Sequence, residues 1–117
     1  MALNAQGFRR IALSMPEASE GSHLGHPDFR VRGKIFATLG FPGDDWAMVK
    51  LTPEQQRALL LSGSESFTPV KGAWGRRGCT NVRLDAVDEA VLRRAMAMAW
   101  RHNAPKKLAE SHDDDAL

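Results

Sequence analysis

The apolar positions near the start of the chain repeat with the period of a helix. They stand at i, i+3, i+4 and i+7 from Phe8 to Met15, a spacing that gathers apolar side chains on one helix face. Pro16 follows at once, and the residue before a proline is driven out of helical backbone geometry. The pattern therefore predicts an amphipathic helix over residues 4–15.

Between residues 19 and 51 the repeat shortens to the two-residue alternation of strands. Apolar Phe29 and Val31 alternate with arginines, as expected for a strand with one solvated face. Arg32-Gly33 suits a tight hairpin turn, because glycine accepts the positive φ that such turns require. We predict three or four antiparallel strands here, around residues 20–24, 29–32, 34–41 and 46–51.

The next residues begin a second helix and then return to strands. Thr52, Pro53 and Gln55 supply a capping side chain, a proline at the first helical position and a capping-box partner. These signals predict a helix from Pro53 to Leu61, with Gly63 as its stop. Two further strands, over residues 67–70 and 80–84, are expected to flank a glycine-rich loop from Lys71 to Gly78.

The last periodic stretch predicts a third helix. Asp85 is a candidate N-cap with Asp88 in the same turn; an apolar stripe runs from Val87 to Trp100, and Pro105 closes the helix. Strands that follow one another without intervening helices imply an antiparallel sheet, which amphipathic helices must cover on one face. We therefore predict an α+β fold, a two-layer sandwich of an antiparallel sheet with helices packed on one face.

Length and composition favour one globular unit. The chain has 117 residues, of which 43% are hydrophobic and 26% are charged, an ordinary balance for a single domain. We assign residues 1–109 to this domain and residues 110–117, with four acids and no Lys or Arg, to an acidic flexible tail. No apolar run approaches the roughly 18–20 residues of a membrane span, and the N-terminus lacks a secretory layout. We expect a cytoplasmic protein.

The basic residues of the predicted domain are concentrated. Sixteen Lys and Arg residues stand against fourteen acids in the whole chain, but against only ten acids in residues 1–109. Two acid-free stretches, 30–34 and 71–83, hold seven of these bases. Such a cationic face attracts polyanions, and Trp74 offers a flat surface for stacking on a base or under an arginine. The alternative is that Trp74 fills the edge of the core while the arginines stay hydrated.

One short cluster, His23, His26 and Asp28, resembles a metal or catalytic site. Gly25 and Pro27 disfavour a helix that would converge the imidazoles, and on a strand the i, i+3 spacing places them on opposite faces. Motifs of nucleotide-binding loops and hydrolases are missing from the sequence. We expect no metal, no cofactor and no enzymatic activity.

Cys79 is the single cysteine of the chain. Its neighbours Arg76 and Arg77 would favour a reactive thiolate. A free cysteine is more often a small buried apolar residue, however, and we predict that state here.

Five segments of the sequence carry a family resemblance. They are GHPDFRV (25–31), KIFA (34–37), KLTPE (50–54), WGRRG (74–78) and TNVRLD (80–85). In order and spacing they resemble the MmcQ/YjbR family of small bacterial proteins, from about Phe8 to Leu108. The resemblance implies a CyaY-like, frataxin-type α+β fold and a DNA-binding role. It does not carry an iron site, because Arg9 and Arg10 replace the acids of a frataxin first helix; Cys79 replaces an expected tryptophan, so any contact of that ring is lost.

The leading hypothesis is a protein that contacts the phosphates of double-stranded DNA with weak sequence specificity. The predicted contact residues are Arg30, Arg32, Lys34, Lys71, Trp74, Arg76, Arg77 and Arg83. The alternative is a regulatory or small-molecule-binding protein whose basic loop holds an anionic metabolite. A third hypothesis is an enzyme that uses His23, His26 and Cys79. We expect a monomer or a weak homodimer, and the DNA hypothesis requires both basic stretches to form one surface.

Overall fold

The computed structural model describes residues 3–62 and 65–112. In chain order its elements are α1 (Ala5–Leu13), β1 (Ala18–His23), β2 (His26–Val31), β3 (Lys34–Leu39), β4 (Trp46–Lys50), α2 (Pro53–Leu61), β5 (Phe67–Pro69), α3 (Ala73–Arg76), β6 (Cys79–Arg83), α4 (Glu89–Asn103) and α5 (Lys106–Ser111). None of the helices in this part of the chain has the length and hydrophobicity of a membrane-spanning segment.

The six strands form one antiparallel sheet in the order β1-β2-β3-β4-β6-β5. Helices α1 and α4 pack on β1, β3 and β4, and the core lies between them and the sheet. Alternate strand residues, among them Phe29, Val49 and Val82, are fully buried in this core together with Trp100 of α4. The predicted α+β fold, with an antiparallel sheet and packed helices, is confirmed.

Side-chain caps determine where the helices begin. The Asn4 side chain accepts a hydrogen bond from the Gly7 amide at 2.9 Å and caps α1. Helix α4 is capped by Asp88, whose carboxylate accepts from the Val91 amide at 3.2 Å. The prediction of Asp85 as this cap was wrong, because its carboxylate instead accepts a hydrogen bond from Arg83 at 2.9 Å.

Helix α2 spans the predicted residues and has both bonds of a capping box. The Gln55 amide donates to Thr52 Oγ1 at 3.1 Å, and the Thr52 amide donates to Gln55 Oε1 at 2.9 Å. Its predicted stop, Gly63, lies outside the described residues.

Two helices occupy segments that were predicted as loop and tail. The one-turn helix α3 lies within the predicted glycine-rich loop. Helix α5 follows Pro105 and includes Glu110 and Ser111, so the first residues of the predicted tail are helical. Residues 113–117, which hold the acidic run, lie outside the described residues.

Strand β2 is joined to each of its neighbours by a two-residue turn. Leu24 and Gly25 have φ of 53° and 79°, and Arg32 and Gly33 have φ of 50° and 85°. Positive φ at both positions is the combination that suits the twist of antiparallel strands. The predicted turn at Arg32-Gly33 is confirmed, and Leu24 occupies a backbone conformation that costs a residue with a Cβ about 1–2 kcal/mol.

A bulge in β3 changes which side chains face away from the helices. Phe29 lies opposite Ala37 and Arg30 lies opposite Ile35, so β3 has one extra residue at this point. The extra residue interrupts the strict alternation, and Ile35 and Thr38 both line the face opposite the helices.

The two edges of the sheet differ in length. Strand β1 has six residues, ASEGSH, without a large apolar side chain. Strand β5 has only three residues and ends at Pro69. Both edges therefore lack a long apolar strand.

Candidate binding site on the open sheet face

The sheet face opposite α1 and α4 carries a continuous row of side chains. Asp28, Thr38, Met48 and Asn81 follow one another as cross-strand partners on β2, β3, β4 and β6. Their neighbours along the strands, such as Phe29 and Val49, face the core. Because side chains alternate along a strand, this row and the residues two positions away form the floor of the open face.

A pocket of about 660 Å³ lies on this floor. We name its two ends by their polar residues. The histidine end comprises His23, Leu24, His26 and Phe41; the lysine end comprises Lys50, Val70, Trp74 and Cys79; Ile35, Thr38, Met48 and Asn81 lie between them.

The rim of the pocket is apolar and exposed to solvent. Leu24, Phe41 and Trp74 expose 91%, 60% and 58% of their surface, and all three line the pocket. They account for three of the five large exposed hydrophobic residues in the described ranges, the other two being Leu13 and Leu61. Exposed apolar groups gathered around a cavity with a few polar groups are typical of a ligand site.

An ion-pair cluster supports the histidine end. Asp28 is fully buried, and its carboxylate accepts hydrogen bonds from Arg30 Nε at 2.7 Å and Arg30 Nη2 at 3.0 Å. The same carboxylate lies 2.8 Å from Nδ1 of His23. The bonds from Arg30 outweigh the effect of burial, and with the help of His23 they hold the pKa of Asp28 below its ordinary value. Asp28 is therefore ionised at neutral pH and fixes the orientation of the His23 ring.

Gly21 leaves the space that this cluster occupies. It lies directly opposite Asp28 on β1. A Cβ at Gly21 would come within 3.1 Å of Asp28 Oδ1 and 3.2 Å of Arg30 Nε, which is closer than such atoms normally approach. The glycine thus leaves room beside β1 for the Arg30 guanidinium, which reaches Asp28 with two nitrogens.

His26 packs against the rim. Its ring lies edge-on to Phe41, with centroids 5.8 Å apart, and Gly40 lies beneath it with φ of 85°. A Cβ on Gly40 would come within 3.3 Å of His26 Nδ1. The close approach of Gly40 therefore allows the His26 ring to lie next to Phe41.

Positive charge gathers at the lysine end. Lys50 and Arg77 both lie close enough to Cys79 to favour its thiolate, but burial has the larger effect and raises the pKa of the thiol above its ordinary value. Cys79 is only 6% exposed, in agreement with its predicted buried state. Lys50 forms no ion pair within the described residues, so its charge is available to a ligand.

Trp74 stands at the mouth of the lysine end with an arginine beside it. The Arg77 guanidinium lies 5.7 Å from the centroid of the Trp74 ring, within the range of a cation–π contact. The interpretation that Trp74 fills the edge of the core was wrong, because more than half of its surface is exposed.

The glycines of the WGRRG segment serve the packing of the chain on itself. A Cβ at Gly75 would collide with the carbonyl of Val70, and one at Gly78 would collide with the carbonyl of Leu51. Gly78 also has φ of 110°, which disfavours other residues. These contacts hold α3 against the ends of β4 and β5 and so place Trp74 and Arg77 beside the pocket.

The structure places the eight predicted contact residues in different settings. Arg30 is paired with buried Asp28, Arg32 with Glu17 at 2.5 Å and Arg83 with Asp85 at 2.9 Å. Lys34, Lys71, Arg76 and Arg77 are exposed and form no ion pair within the described ranges. Three of the seven predicted cationic contacts are therefore neutralised by neighbouring carboxylates.

The unpaired cations share one end of the sheet. Lys34 begins β3 at the same end at which Lys50 closes β4, and Lys50 lies opposite Cys79, just after α3. Burial, together with the positive charges of Lys34 and Lys50, lowers the pKa of His102 at the end of α4. Arg83, at the far end of β6, lies at the opposite end of the sheet.

The third hypothesis required the histidines and the cysteine to act together. His23 and His26 lie at one end of the pocket and Cys79 at the other. No group of three or more His, Cys, Asp or Glu residues suited to a metal is found within residues 3–62 and 65–112. The fold brings the two histidines together but does not bring them to the cysteine.

Sequence reasoning missed most of the pocket floor. Met48, Lys50 and Asn81 alternate with the core residues of their strands, so strand periodicity contained the signal for them. Leu24 and Phe41 are in turns, where periodicity gives no information about the direction of a side chain.

The fold and the pocket together define a class of protein, an α+β protein with α1 and α4 on one face of the sheet and a candidate ligand site on the other. The YjbR family model matches residues 13–102, and the chain belongs to this family. The fold is similar to that of the Deinococcus radiodurans protein DR2400, a crystal structure with the family-model domain DUF419, with a TM-score of 0.71 and 16% identity over 86% of this chain and 78% of that one. At this identity the likeness shows the fold alone. No curated protein matches the sequence significantly.

Proposed function

We propose that the protein binds a small organic anion in the pocket on the open sheet face. The apolar body of the ligand lies along Met48 and against the Leu24, Phe41 and Trp74 rim. Its anionic group meets Lys50 and Arg77 at the lysine end. Anion binding is the second hypothesis drawn from the sequence, where it is assigned to the basic loop, whereas here we place the ligand on the open sheet face, and we propose binding without catalysis.

The observation that carries the proposal is the position of Lys50. Lys50 lines a largely apolar cavity of about 660 Å³, and its ammonium group has no carboxylate partner in the described residues. A cation in such surroundings interacts with an anion more strongly than a cation in open water does. Apolar walls with a few placed polar groups are the common composition of small-molecule sites.

Two matched compounds test the proposal: 2-naphthoate and its neutral isostere 2-naphthamide. We expect both to shift the backbone amide signals of pocket residues in NMR titrations, with naphthoate bound more tightly by on the order of tenfold, the usual strength of one charge-assisted contact. Lys50→Met keeps the apolar stem and removes the charge, so it should abolish this preference. Lys106→Met, an exposed lysine on α5, is the control and should keep it.

Two results would exclude the proposal. One is that neither compound shifts the pocket signals at millimolar concentration, and the other is that Lys50→Met retains the full preference for the carboxylate. Shifts confined to Leu13 and Leu61, outside the pocket, would indicate non-specific contact with exposed apolar groups.

DNA binding is the second candidate, favoured by three exposed cations around Trp74. Lys71, Arg76 and Arg77 have no ion pair in the described residues, and arginine forks suit phosphate oxygens. Binding by these residues would be weakly specific, because phosphate contacts do not read sequence. The pocket is the better candidate, since its cation and its apolar walls converge whereas three of the predicted DNA contacts are already paired.

A salt titration of labelled duplex DNA tests this second candidate. The logarithm of the binding constant should fall with a slope of about −0.9 for each phosphate contacted. The double variant Arg76→Ala, Arg77→Ala should reduce both affinity and slope, whereas Arg93→Ala, Arg94→Ala on α4 should change neither. Duplex that stays unbound at low salt removes the candidate.

A further inference from the structure

We infer that the ligand is a nucleoside phosphate whose base carries an exocyclic amino group. The base lies at the histidine end with its amino group donating to Nε2 of His23, and the phosphate lies at the lysine end. This inference rests on the proposed function and names its ligand class. It follows from the length of the pocket and from the hydrogen-bonding state of His23.

The register of the sheet gives the distance between the two ends of the pocket. Thr38 lies opposite both Asp28 and Met48, so these two residues are level on strands two apart. His26 precedes Asp28 by two residues, and Lys50 follows Met48 by two. With a rise of about 3.3 Å per residue and a strand spacing of about 4.8 Å, the His26 and Lys50 backbones are separated diagonally by roughly 16 Å. A ligand that contacts both ends of the pocket must bridge a substantial part of this span.

The hydrogen-bonding state of His23 selects the group that the ligand presents. The Asp28 carboxylate is ionised and only accepts, so Nδ1 of His23 carries the proton that joins the two side chains. The ligand that we propose binds the neutral ring, in which Nε2 is then an acceptor. It has no hydrogen-bond partner within the described residues, although the ring lines the pocket. A ligand N–H donor satisfies it.

The surroundings of His23 favour a flat ring as the carrier of that donor. Leu24 and Phe41 flank it with exposed apolar surface, and the His26 ring is held edge-on to Phe41 at 5.8 Å. Leu24 is 91% exposed in a left-handed conformation that leucine disfavours. Its large apolar side chain at such a position is accounted for by contact with a bound ring.

At the other end, the charges suit a phosphate. Lys50 contributes a point charge on the pocket floor, and the Arg77 guanidinium lies beside Trp74 at the rim. Lys50 lies opposite Cys79 in the sheet, and Arg77 stands two residues before Cys79 at the end of α3, so both cations lie at one end of the cavity. Phosphate oxygens accept from both kinds of donor.

Mononucleotide titrations of the full chain test the inference. AMP, GMP and CMP are compared by calorimetry with adenosine, inorganic phosphate and purine riboside 5′-monophosphate, which lacks the amino group. We expect at least one of the three nucleotides to bind at sub-millimolar concentration. We expect AMP to bind on the order of tenfold more tightly than either adenosine or the deamino nucleotide, the effect of about one hydrogen bond or charge contact.

Two variants test the contributions of the two ends of the pocket separately. His23→Phe should remove the preference for the amino group and keep the preference for the phosphate, and Lys50→Met should do the reverse. A side-chain ¹⁵N spectrum of the wild-type protein provides a readout that needs no variant, since the Nε2 signal of His23 should move on addition of AMP and remain unmoved with inorganic phosphate.

These experiments distinguish failure of the inference from failure of the proposed function. If naphthoate binds at the lysine end while all three mononucleotides fail at millimolar concentration, the inference is overturned and the proposed function stands. If AMP and its deamino analogue bind equally and the His23 signal stays fixed, the assignment of the amino group is likewise overturned. If neither naphthoate nor a nucleotide binds, both proposals are overturned.

Discussion

The two ends of the pocket are held in place by different physical means. At the histidine end a buried carboxylate, Asp28, bonds both Arg30 and His23, and the His23 ring lines the cavity. At the lysine end the backbone of α3 packs closely against neighbouring carbonyl groups through Gly75 and Gly78, and the cations themselves have no ion pairs in the described residues. Electrostatic contacts thus orient one end, whereas steric contacts of the backbone orient the other.

Among the substitutions that test this comparison, Gly75→Ala is expected to have the largest effect on stability. The added methyl group would collide with the Val70 carbonyl, and a backbone group cannot move aside as a flexible side chain can. We expect a loss of about 3 kcal/mol or more in the free energy of unfolding, in the range of severe steric substitutions. Urea denaturation measures it. The matched control is Gly33→Ala, with φ of 85° in its hairpin turn and open space around its Cβ, which should cost about 1–2 kcal/mol; equal losses at both positions would refute the steric account.

Asp28→Asn is expected to have the next largest effect. It removes the charge that holds Arg30 and His23, and hydrogen bonds to charged groups contribute about 1.5–3 kcal/mol. We expect a loss of this size in thermal or urea unfolding. Asp85→Asn breaks an ion pair that is largely exposed on both sides, and its cost should stay below about 1 kcal/mol. Similar costs for the two variants would show that burial of Asp28 does not strengthen its contacts.

The same carboxylate gives a pH dependence with a definite sign. Its pKa is lower in the folded protein than its ordinary value of 3.8, chiefly because Arg30 donates to it. The stabilisation is therefore fully present above about pH 4 and is lost as the pH falls through the folded pKa. The stability difference between wild type and Asp28→Asn should shrink on acidification below that range. A difference that stays constant down to pH 2 would contradict the assignment.

Leu24→Asn should have a smaller effect of opposite sign. Asparagine tolerates the left-handed conformation better than leucine, and Asn-Gly is a preferred pair in such turns. We expect a gain of about 0.5–1 kcal/mol in stability, measured by thermal unfolding, together with weaker binding of AMP. Leu61→Asn, at an exposed position outside the pocket, is the control and should leave binding unchanged. A less stable Leu24→Asn protein would mean that Leu24 contributes packing within the fold.

The smallest structural disturbance comes from probing Cys79 chemically. Burial raises the pKa of its thiol, so the pH at which alkylation by iodoacetamide reaches half its maximal rate should lie above that of free cysteine. Naphthoate should slow the reaction further, because it occupies the lysine end. Mass spectrometry of the intact chain measures the rate. Fast alkylation at neutral pH would show instead that Lys50 and Arg77 dominate the environment of the thiol.

Sequence patterns were sufficient for most of the fold because its elements carry strong local signals. The capping box of α2 and the positive-φ turn at Arg32-Gly33 were both predicted from residue types alone. The N-cap of α4 was predicted at Asp85 rather than Asp88, since both residues can cap and only the tertiary contact with Arg83 distinguishes them. Helix α3 was missed because glycines that usually mark loops are used here for close packing.

The candidate site was less predictable, because charge along a sequence does not show which charges are paired in space. Arg32 and Glu17 are far apart in the chain and meet only through the pairing of β1 with β2. In the sequence Lys50 is an isolated lysine at the end of a strand, and its importance depends on the apolar neighbours that the sheet brings around it. Leu24 and Phe41 lie in different turns, and only the folded sheet brings those turns to the same cavity.

The edges of the sheet have a consequence for behaviour in a crowded solution. An exposed edge strand offers unpaired amides and carbonyls that can template the addition of another chain and begin aggregation. Strand β5 is short and ends at Pro69, and a proline has no amide hydrogen to offer. Strand β1 is longer, yet its polar side chains, with Glu20 bonded to Arg9, give an incoming strand no apolar surface to cover. The molecule can therefore leave one broad face of its sheet uncovered while both borders resist fibril-like growth.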